Sequence, residues 1–215
     1  ADVMDNEAIS WKNFFIKIGI NTSIYTLNAS TSQETSNVIF VVPHAFQEIK
    51  LANFSAPILL LGDSIVNALN EYCPIEVVQA SAFYIPLYAQ QAPLFNTPFV
   101  LVDETHTLKI LKENTESFAI KKSILLNYSF VSLMQLPNTT LTVSACSIHG
   151  RFRMIWIGVK KPDDLSLGGK YFLLNALLWL KSTKLADDII NFLSQLQIKT
   201  WHGRGGFPCV SDPDI

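Results

Sequence analysis

The sequence predicts an α/β fold: a three-layer, mostly parallel sheet with helices on both faces and an antiparallel β elaboration in the middle of the chain. Continuous apolar runs at 38–42 and 58–61 are typical of buried parallel strands. The second run passes directly into Gly62-Asp63-Ser64 and a helical pattern. Strands and helical patterns alternate up to residue 70, which favours parallel crossovers.

The amino-terminal part is predicted to hold a helix over 6–19 and a strand over 23–27. The amphipathic pattern itself starts at Ser10, a candidate N-cap, and stops at Gly19, with aromatic and aliphatic residues on one side. A second crossover helix is predicted over 64–71. Each of these helices would connect one parallel strand to the next as a crossover.

The middle of the chain, 75–145, is rich in short β patterns separated by turn signals. It is predicted to form the antiparallel elaboration. The predicted strands are 76–78, 83–88, 99–102, 123–126, 130–133 and 139–144.

The carboxyl-terminal part returns to a strand at 151–159 and two helices, 171–181 and 185–196. The first helix is apolar nearly all round, so we expect it to be deeply covered, and together (171–196) the helices would close one face of the sheet. The tail after residue 200 is rich in Gly and Pro and reads as a linker. The sequence thus predicts one domain over 1–200 and an irregular tail over 201–215.

Composition limits the classes of function. The chain has 215 residues, 49% hydrophobic and 16% charged, and a net charge of −2. This balance argues against a nucleic-acid partner, and no apolar run is long enough for a membrane span. The three cysteines form no CxxC pair and the four histidines have no metal-ligand spacing. We therefore expect neither a metal nor a cofactor.

Two observations bear on the compartment. Asn-x-Ser/Thr triplets begin at Asn21, Asn28, Asn53, Asn127 and Asn138. The first residue is Ala, which fits a removed signal peptide or a piece of a longer chain. We expect an extracytoplasmic or secreted location, with the cytoplasm as the alternative.

The turn Gly62-Asp63-Ser64-Ile65 resembles the opening block of the GDSL/SGNH esterase family, whose serine is the nucleophile. The resemblance implies a serine hydrolase that uses Ser64. Pro43-His44 ends one predicted parallel strand and Ser64 follows the next, so His44 would face the same crevice as Ser64, because neighbouring parallel strands end on the same side. In this hydrolase His44 or His149 would be the base, and Asp63 or Asp103 would orient it. The Asp-x-x-His that this family carries near its carboxyl terminus is absent here.

The layout of residues 1–182 resembles the class I glutamine amidotransferase-like group of flavodoxin-type folds. That group carries its catalytic cysteine at a Gly-x-Cys-x-Gly elbow after a central strand, and Gly62, Ser64 and Val66 stand at those positions. The group's later His-Pro-Glu corresponds to Lys161, Pro162 and Asp163.

This second resemblance implies that the catalytic machinery is lost, because a lysine is protonated at neutral pH and a serine without a base is a poor nucleophile. It therefore implies a non-catalytic interaction or ligand-binding module of a larger, exported or membrane-anchored protein. The partner would be a protein or other domains of the same polypeptide. The aromatic middle suggests a glycan-binding module as a further alternative. The candidate binding residues are Gly62, Tyr84, Tyr88 and Lys161.

Overall fold

The computed structural model describes residues 6–24, 39–45, 56–69, 73–149 and 152–181. The described α-helices are α1 (Asn6–Lys17), α2 (Leu87–Gln90), α3 (Pro93–Asn96), α4 (Lys122–Asn127) and α5 (Leu167–Lys181). Two 3-10 helices are η1 (Gly62–Asn67) and η2 (Pro162–Asp164). The strands are β1 (Phe40–Val42), β2 (Ile58–Leu61), β3 (Glu76–Gln79), β4 (Ala82–Tyr84), β5 (Thr107–Lys109), β6 (Glu116–Lys121), β7 (Val131–Gln135), β8 (Leu141–His149) and β9 (Phe152–Ile157).

These strands form one mixed sheet in the order β1-β2-β9-β8-β7-β4-β5, with β6 pairing β8 and β3. β1, β2 and β9 are parallel, whereas the other described pairings are antiparallel. The α/β class and the mixture of parallel and antiparallel strands are therefore confirmed. The antiparallel set is joined to the parallel strands directly, through the β8–β9 pair.

Strand β2 is buried along its whole length, as its ILLL sequence predicts. Successive side chains point to opposite faces of a strand. Accordingly, Leu59 and Leu61 lie in one hydrophobic cluster with residues of α1 and α5, and Ile58 and Leu60 lie in a second with residues of η1 and α4. Described helices thus pack against both clusters.

Helix α1 matches the predicted amphipathic segment, and its Trp11 and Phe15 are buried. Gly19 follows the helix with a φ of +85°, and the N–H of Ile20 donates to the Phe15 carbonyl oxygen. The predicted N-cap, Ser10, is wrong: the helix begins at Asn6, so Ser10 lies inside it.

Strand β8 pairs with β9 as far as Ser144 and with β6 at Thr142. The change of partner falls at Gly158, just after β9. The Gly158 carbonyl oxygen accepts hydrogen bonds from the Phe118 N–H and the Ser117 hydroxyl, both at 2.8 Å. The Gly158 N–H donates to the Val143 carbonyl oxygen at 2.8 Å. A Cβ on Gly158 would overlap the Phe118 carbonyl oxygen. Only glycine allows these backbones to come this close.

Several predicted elements differ from the structure. The predicted helix 64–71 is instead the 3-10 helix η1, and the predicted strand 123–126 belongs to helix α4. Residues 99–102 form no strand, 87–88 belong to α2, and β5 and β6 were not predicted. Short apolar runs do not distinguish a strand from a helix, because both bury such runs.

Helix α5 begins four residues earlier than predicted, so Gly168 and Gly169 lie in its first turn. The Ser166 hydroxyl accepts a hydrogen bond from the Gly169 N–H at 3.1 Å, which caps the helix. The fully buried Asn175 donates its amide hydrogens to the Leu94 and Phe99 carbonyl oxygens. Its own oxygen accepts from the Phe99 N–H. The helix therefore anchors the loop that precedes residue 100.

Some predictions lie outside the described residues: the helix 185–196, the tail 201–215, most of the strand 23–27, and residues 70–71 of the predicted second helix. Residues 23 and 24 are described and form no strand. Within the described ranges, no helix has the length and apolar character needed to cross a membrane.

We expect Gly158→Ala to lower the free energy of unfolding by about 3 kcal/mol or more, because the added methyl group must push β6 away from β9. Urea denaturation followed by circular dichroism measures this change. Gly19→Ala is the control: its Cβ meets nothing within 4 Å, and the φ of +85° alone should cost about 1 kcal/mol. Equal losses in the two variants would contradict the role given to Gly158.

The buried thiol of Cys146 predicts a pH dependence of stability. Burial raises the pKa of Cys146 from 9.0 to about 12. Between these values the thiol ionises in the unfolded chain but not in the folded one. Its contribution is thus fully present below pH 9 and is lost as the pH rises toward 12, by up to about 1.4 kcal/mol per pH unit. In urea denaturation from pH 8 upward, Cys146→Ala should lose stability less steeply than the wild type; parallel curves would refute this assignment.

Candidate functional site

The carboxyl ends of the three parallel strands meet around Gly62. Ligand sites of open α/β sheets lie at this edge. Gly62 has a φ of +57°. A Cβ built on it would lie 3.6 Å from the Pro43 carbonyl oxygen after β1 and 3.6 Å from the Lys160 Cα after β9. The edge therefore brings three chain segments together, as the sequence predicts for 43–44 and 62–64.

Asp63 ties two of these segments together. Its Oδ1 accepts a hydrogen bond from the Ala45 N–H at 2.9 Å. This bond fixes the turn after β1, and with it the backbone of His44, beside the turn after β2. His44 is half-buried there. The carboxylate of Asp63 therefore braces the backbone at this edge.

Ser64 occupies the first turn of η1 and is 0% exposed. Its Oγ has no hydrogen-bond partner among the described residues. The indole N–H of Trp156, on β9, donates to the Gly62 carbonyl oxygen at 2.8 Å. This hydrogen bond fixes the Gly62 turn to β9. A serine buried in this way is shielded from any molecule in solution.

Phe118 closes the space next to the Gly62 turn. Its ring carbon Cε2 would lie 3.6 Å from a Cβ on Gly62. The ring is placed there because the Phe118 N–H bonds to the Gly158 carbonyl oxygen, which directs β6 across the end of β9. An aromatic side chain from the antiparallel part of the sheet thus fills part of the carboxyl edge.

The segment after β9 is held by α1. The Trp11 indole N–H donates to the Lys160 carbonyl oxygen at 3.1 Å. The Lys160 Nζ lies 3.6 Å from a Glu7 carboxylate oxygen, with the lysine side chain half exposed. Lys161 itself is exposed and precedes η2. This candidate binding residue therefore lies at the same edge as Gly62, with its side chain toward solvent.

His149 lies at the opposite edge of the parallel strands. It pairs with Phe152 at the start of β9, whereas Leu61, just before the Gly62 turn, pairs with Ile157 at its end. Five residues of strand separate these positions, roughly 17 Å. The β8–β9 register therefore does not bring His149 to Ser64.

Tyr84 and Tyr88 lie far from the Gly62 turn. Strand β4, which carries Tyr84, is four places from β2 in the sheet, or about 19 Å along it. Tyr88 lies on α2, with the Lys122 Nζ 5.7 Å from its ring centroid. The predicted binding residues therefore divide between two regions, Gly62 with Lys161 and Tyr84 with Tyr88.

Asp103, the alternative orienting residue, lies in the loop before β5 at the far end of the sheet. It is exposed, and its Oδ1 accepts hydrogen bonds from the hydroxyl and N–H of Thr105. The hydroxyl hydrogen bond lowers the pKa of Asp103. This carboxylate closes its own loop and is not near Ser64.

Phe118 and Trp156 also lie at this edge, where the sequence pattern predicts neither. Trp156 has a signal: it lies two residues after Met154 in a predicted strand, so both side chains face the same cluster as Leu60. Phe118 had none, because its position follows from the long-range hydrogen bond to Gly158. In the part of the chain that the structure describes, no group of three His, Cys, Asp or Glu residues could hold a metal ion.

The sequence was compared with protein-family models and with curated proteins. No family model matches the chain, and no curated protein matches it.

We expect Asp63→Ala to lower the free energy of unfolding by about 2 kcal/mol, because it removes a carboxylate hydrogen bond to a half-buried backbone N–H. Thermal and urea denaturation measure the change. Asp163→Ala, at an exposed carboxylate of η2, is the matched control and should change stability by less than about 0.5 kcal/mol. If both variants match the wild type, Asp63 does not brace this edge.

Proposed function

We propose that this domain is a non-catalytic interaction or ligand-binding module of a larger, exported or membrane-anchored protein. The observation that carries the proposal is the burial of Ser64, which is 0% exposed at the position where an elbow nucleophile would have to meet its substrate. A nucleophile also needs a base within hydrogen-bond reach, and the Ser64 Oγ has no partner among the described residues.

Three other polar groups around the turn support this proposal, because each has a structural partner. Asp63 holds the Ala45 N–H, the Gly62 carbonyl oxygen accepts from Trp156, and the Lys160 carbonyl oxygen accepts from Trp11. Lys161 is exposed and replaces the histidine of the amidotransferase-like pattern. Hydrogen bonds of this kind stabilise the fold at this edge, and a partner would bind at exposed surfaces of the domain.

The proposal includes the architecture that the resemblance implies, a three-layer, flavodoxin-type domain of the class I glutamine amidotransferase-like group. Two separate hydrophobic clusters, one with α1 and α5 and the other with η1 and α4, support a layer of helices on each face. The parallel order β1-β2-β9 with the elbow after β2 also supports it. The partner would be a protein or another domain of the same polypeptide.

A serine hydrolase is the second candidate, and one observation favours it. His44 and Ser64 follow neighbouring parallel strands, and the Asp63–Ala45 hydrogen bond holds the two turns together. In this hypothesis a rearrangement of η1 would expose Ser64 to a substrate, with His44 as the base.

The test separates the two candidates. We expect the wild-type protein neither to hydrolyse short-chain p-nitrophenyl esters nor to be labelled by a fluorophosphonate. We expect Ser64→Ala to raise the free energy of unfolding by about 1 kcal/mol, because it removes a buried hydroxyl that has no described partner.

Ser123→Ala, at an exposed serine of α4, is the matched control and should leave both readouts unchanged. Hydrolysis and labelling of the wild type that persist in Ser123→Ala and vanish in Ser64→Ala would overturn the non-catalytic proposal and establish the hydrolase.

A further inference from the structure

Helix α5 carries an apolar stripe on the side that faces away from the core. We call Leu167, Tyr171, Leu174 and Leu178 the outer α5 stripe. Their spacings of four, three and four residues place them on one side of an α-helix. The buried residues of α5, including Phe172, Ala176 and Trp179, lie on the opposite side. The helix is therefore apolar on both sides.

The outer α5 stripe is open to solvent at both ends. Leu167 is 65% exposed and Leu178 is 46% exposed. In the middle, the Tyr171 ring stacks on Phe99 with centroids 4.5 Å apart. The next residue in the chain, Val100, is 75% exposed and extends the apolar surface. The prediction that this helix is deeply covered thus holds for its inner side, whereas the described residues leave Leu167 and Leu178 on the outer side exposed.

The sequence that follows α5 has the matching pattern. Residues 185–196 place Leu185, Ile189, Leu193 and Leu196 at spacings of four, four and three, which is one side of a helix. Only residues 182–184 separate this segment from α5. A connection this short joins antiparallel helices that pack side by side.

We propose that residues 185–196 form a helix that docks antiparallel on the outer α5 stripe. The lengths agree, because twelve helical residues span about 18 Å and the fifteen residues of α5 about 22 Å. The charges are also complementary, because Asp187 and Asp188 at the start of the docked helix would lie next to Lys181 at the end of α5.

The tether favours this occupant over a second copy of the chain or a separate protein. A segment joined through three residues is present at an effective concentration of about millimolar, whatever the concentration of the protein. The inference rests on α5 and the segment after it, and does not depend on the proposed function.

Hydrogen–deuterium exchange on the full chain tests the proposal. We expect the amides of 186–196 to exchange much more slowly than those of an unstructured peptide. Leu178→Glu should speed their exchange by about tenfold, equivalent to about 1.4 kcal/mol, by placing a charge in the contact. Because the helices are antiparallel, Leu178→Glu should act most on 186–190 and Leu167→Glu most on 192–196.

Leu87→Glu is the control, since Leu87 is a 70% exposed leucine on α2; it should leave exchange in 186–196 unchanged. Leu178→Ala gives a milder form of the same test if the glutamate variant does not fold. Wild-type exchange as fast as that of an unstructured peptide would overturn the proposal, as would stripe variants with unchanged exchange. A dimer in sedimentation that Leu178→Glu dissociates, with exchange in 186–196 unchanged, would assign the stripe to a second copy instead.

Discussion

The close approach of three backbone segments at Gly158 connects the two parts of the sheet. Its carbonyl oxygen accepts two hydrogen bonds from β6, and its N–H donates to Val143 on β8. No side chain fits at this position, because a Cβ would occupy the place of the Phe118 carbonyl oxygen. The parallel strands therefore continue into the antiparallel ones as one sheet, and β6 is directed across the carboxyl end of β9.

This arrangement determines what the Gly62 turn can do. Open α/β sheets leave a crevice at the carboxyl ends of their strands, but here the Phe118 ring lies against the turn. Asp63 and the carbonyl oxygens of Gly62 and Lys160 are hydrogen-bonded to Ala45, Trp156 and Trp11. The Ser64 hydroxyl is buried behind these groups, each of which is hydrogen-bonded to a neighbouring segment, and this supports the proposed module that acts through its surfaces.

Helix α5 is fixed to the rest of the fold on its inner side and carries an apolar surface on its outer side. On its inner side, Asn175 makes three hydrogen bonds to the segment around Leu94 and Phe99. At its end, Arg153 donates to the Trp179 carbonyl oxygen at 2.7 Å, where a cation is favourable to the helix dipole. The helix is therefore firmly held on the sheet, so the outer α5 stripe is a rigid surface on which a further helix can pack.

The sequence by itself determined the elements whose pattern is local: α1 from its amphipathic spacing, β2 and β9 from their apolar runs, and the turn at Gly62 between strand and helix. It also placed His44 and Ser64 at one edge, because neighbouring parallel strands end together. Only the tertiary structure decided that His149 lies at the other edge, that Phe118 fills part of the carboxyl edge and that 123–126 is helical. These features depend on strand register and on contacts between residues far apart in the chain, which no local pattern encodes.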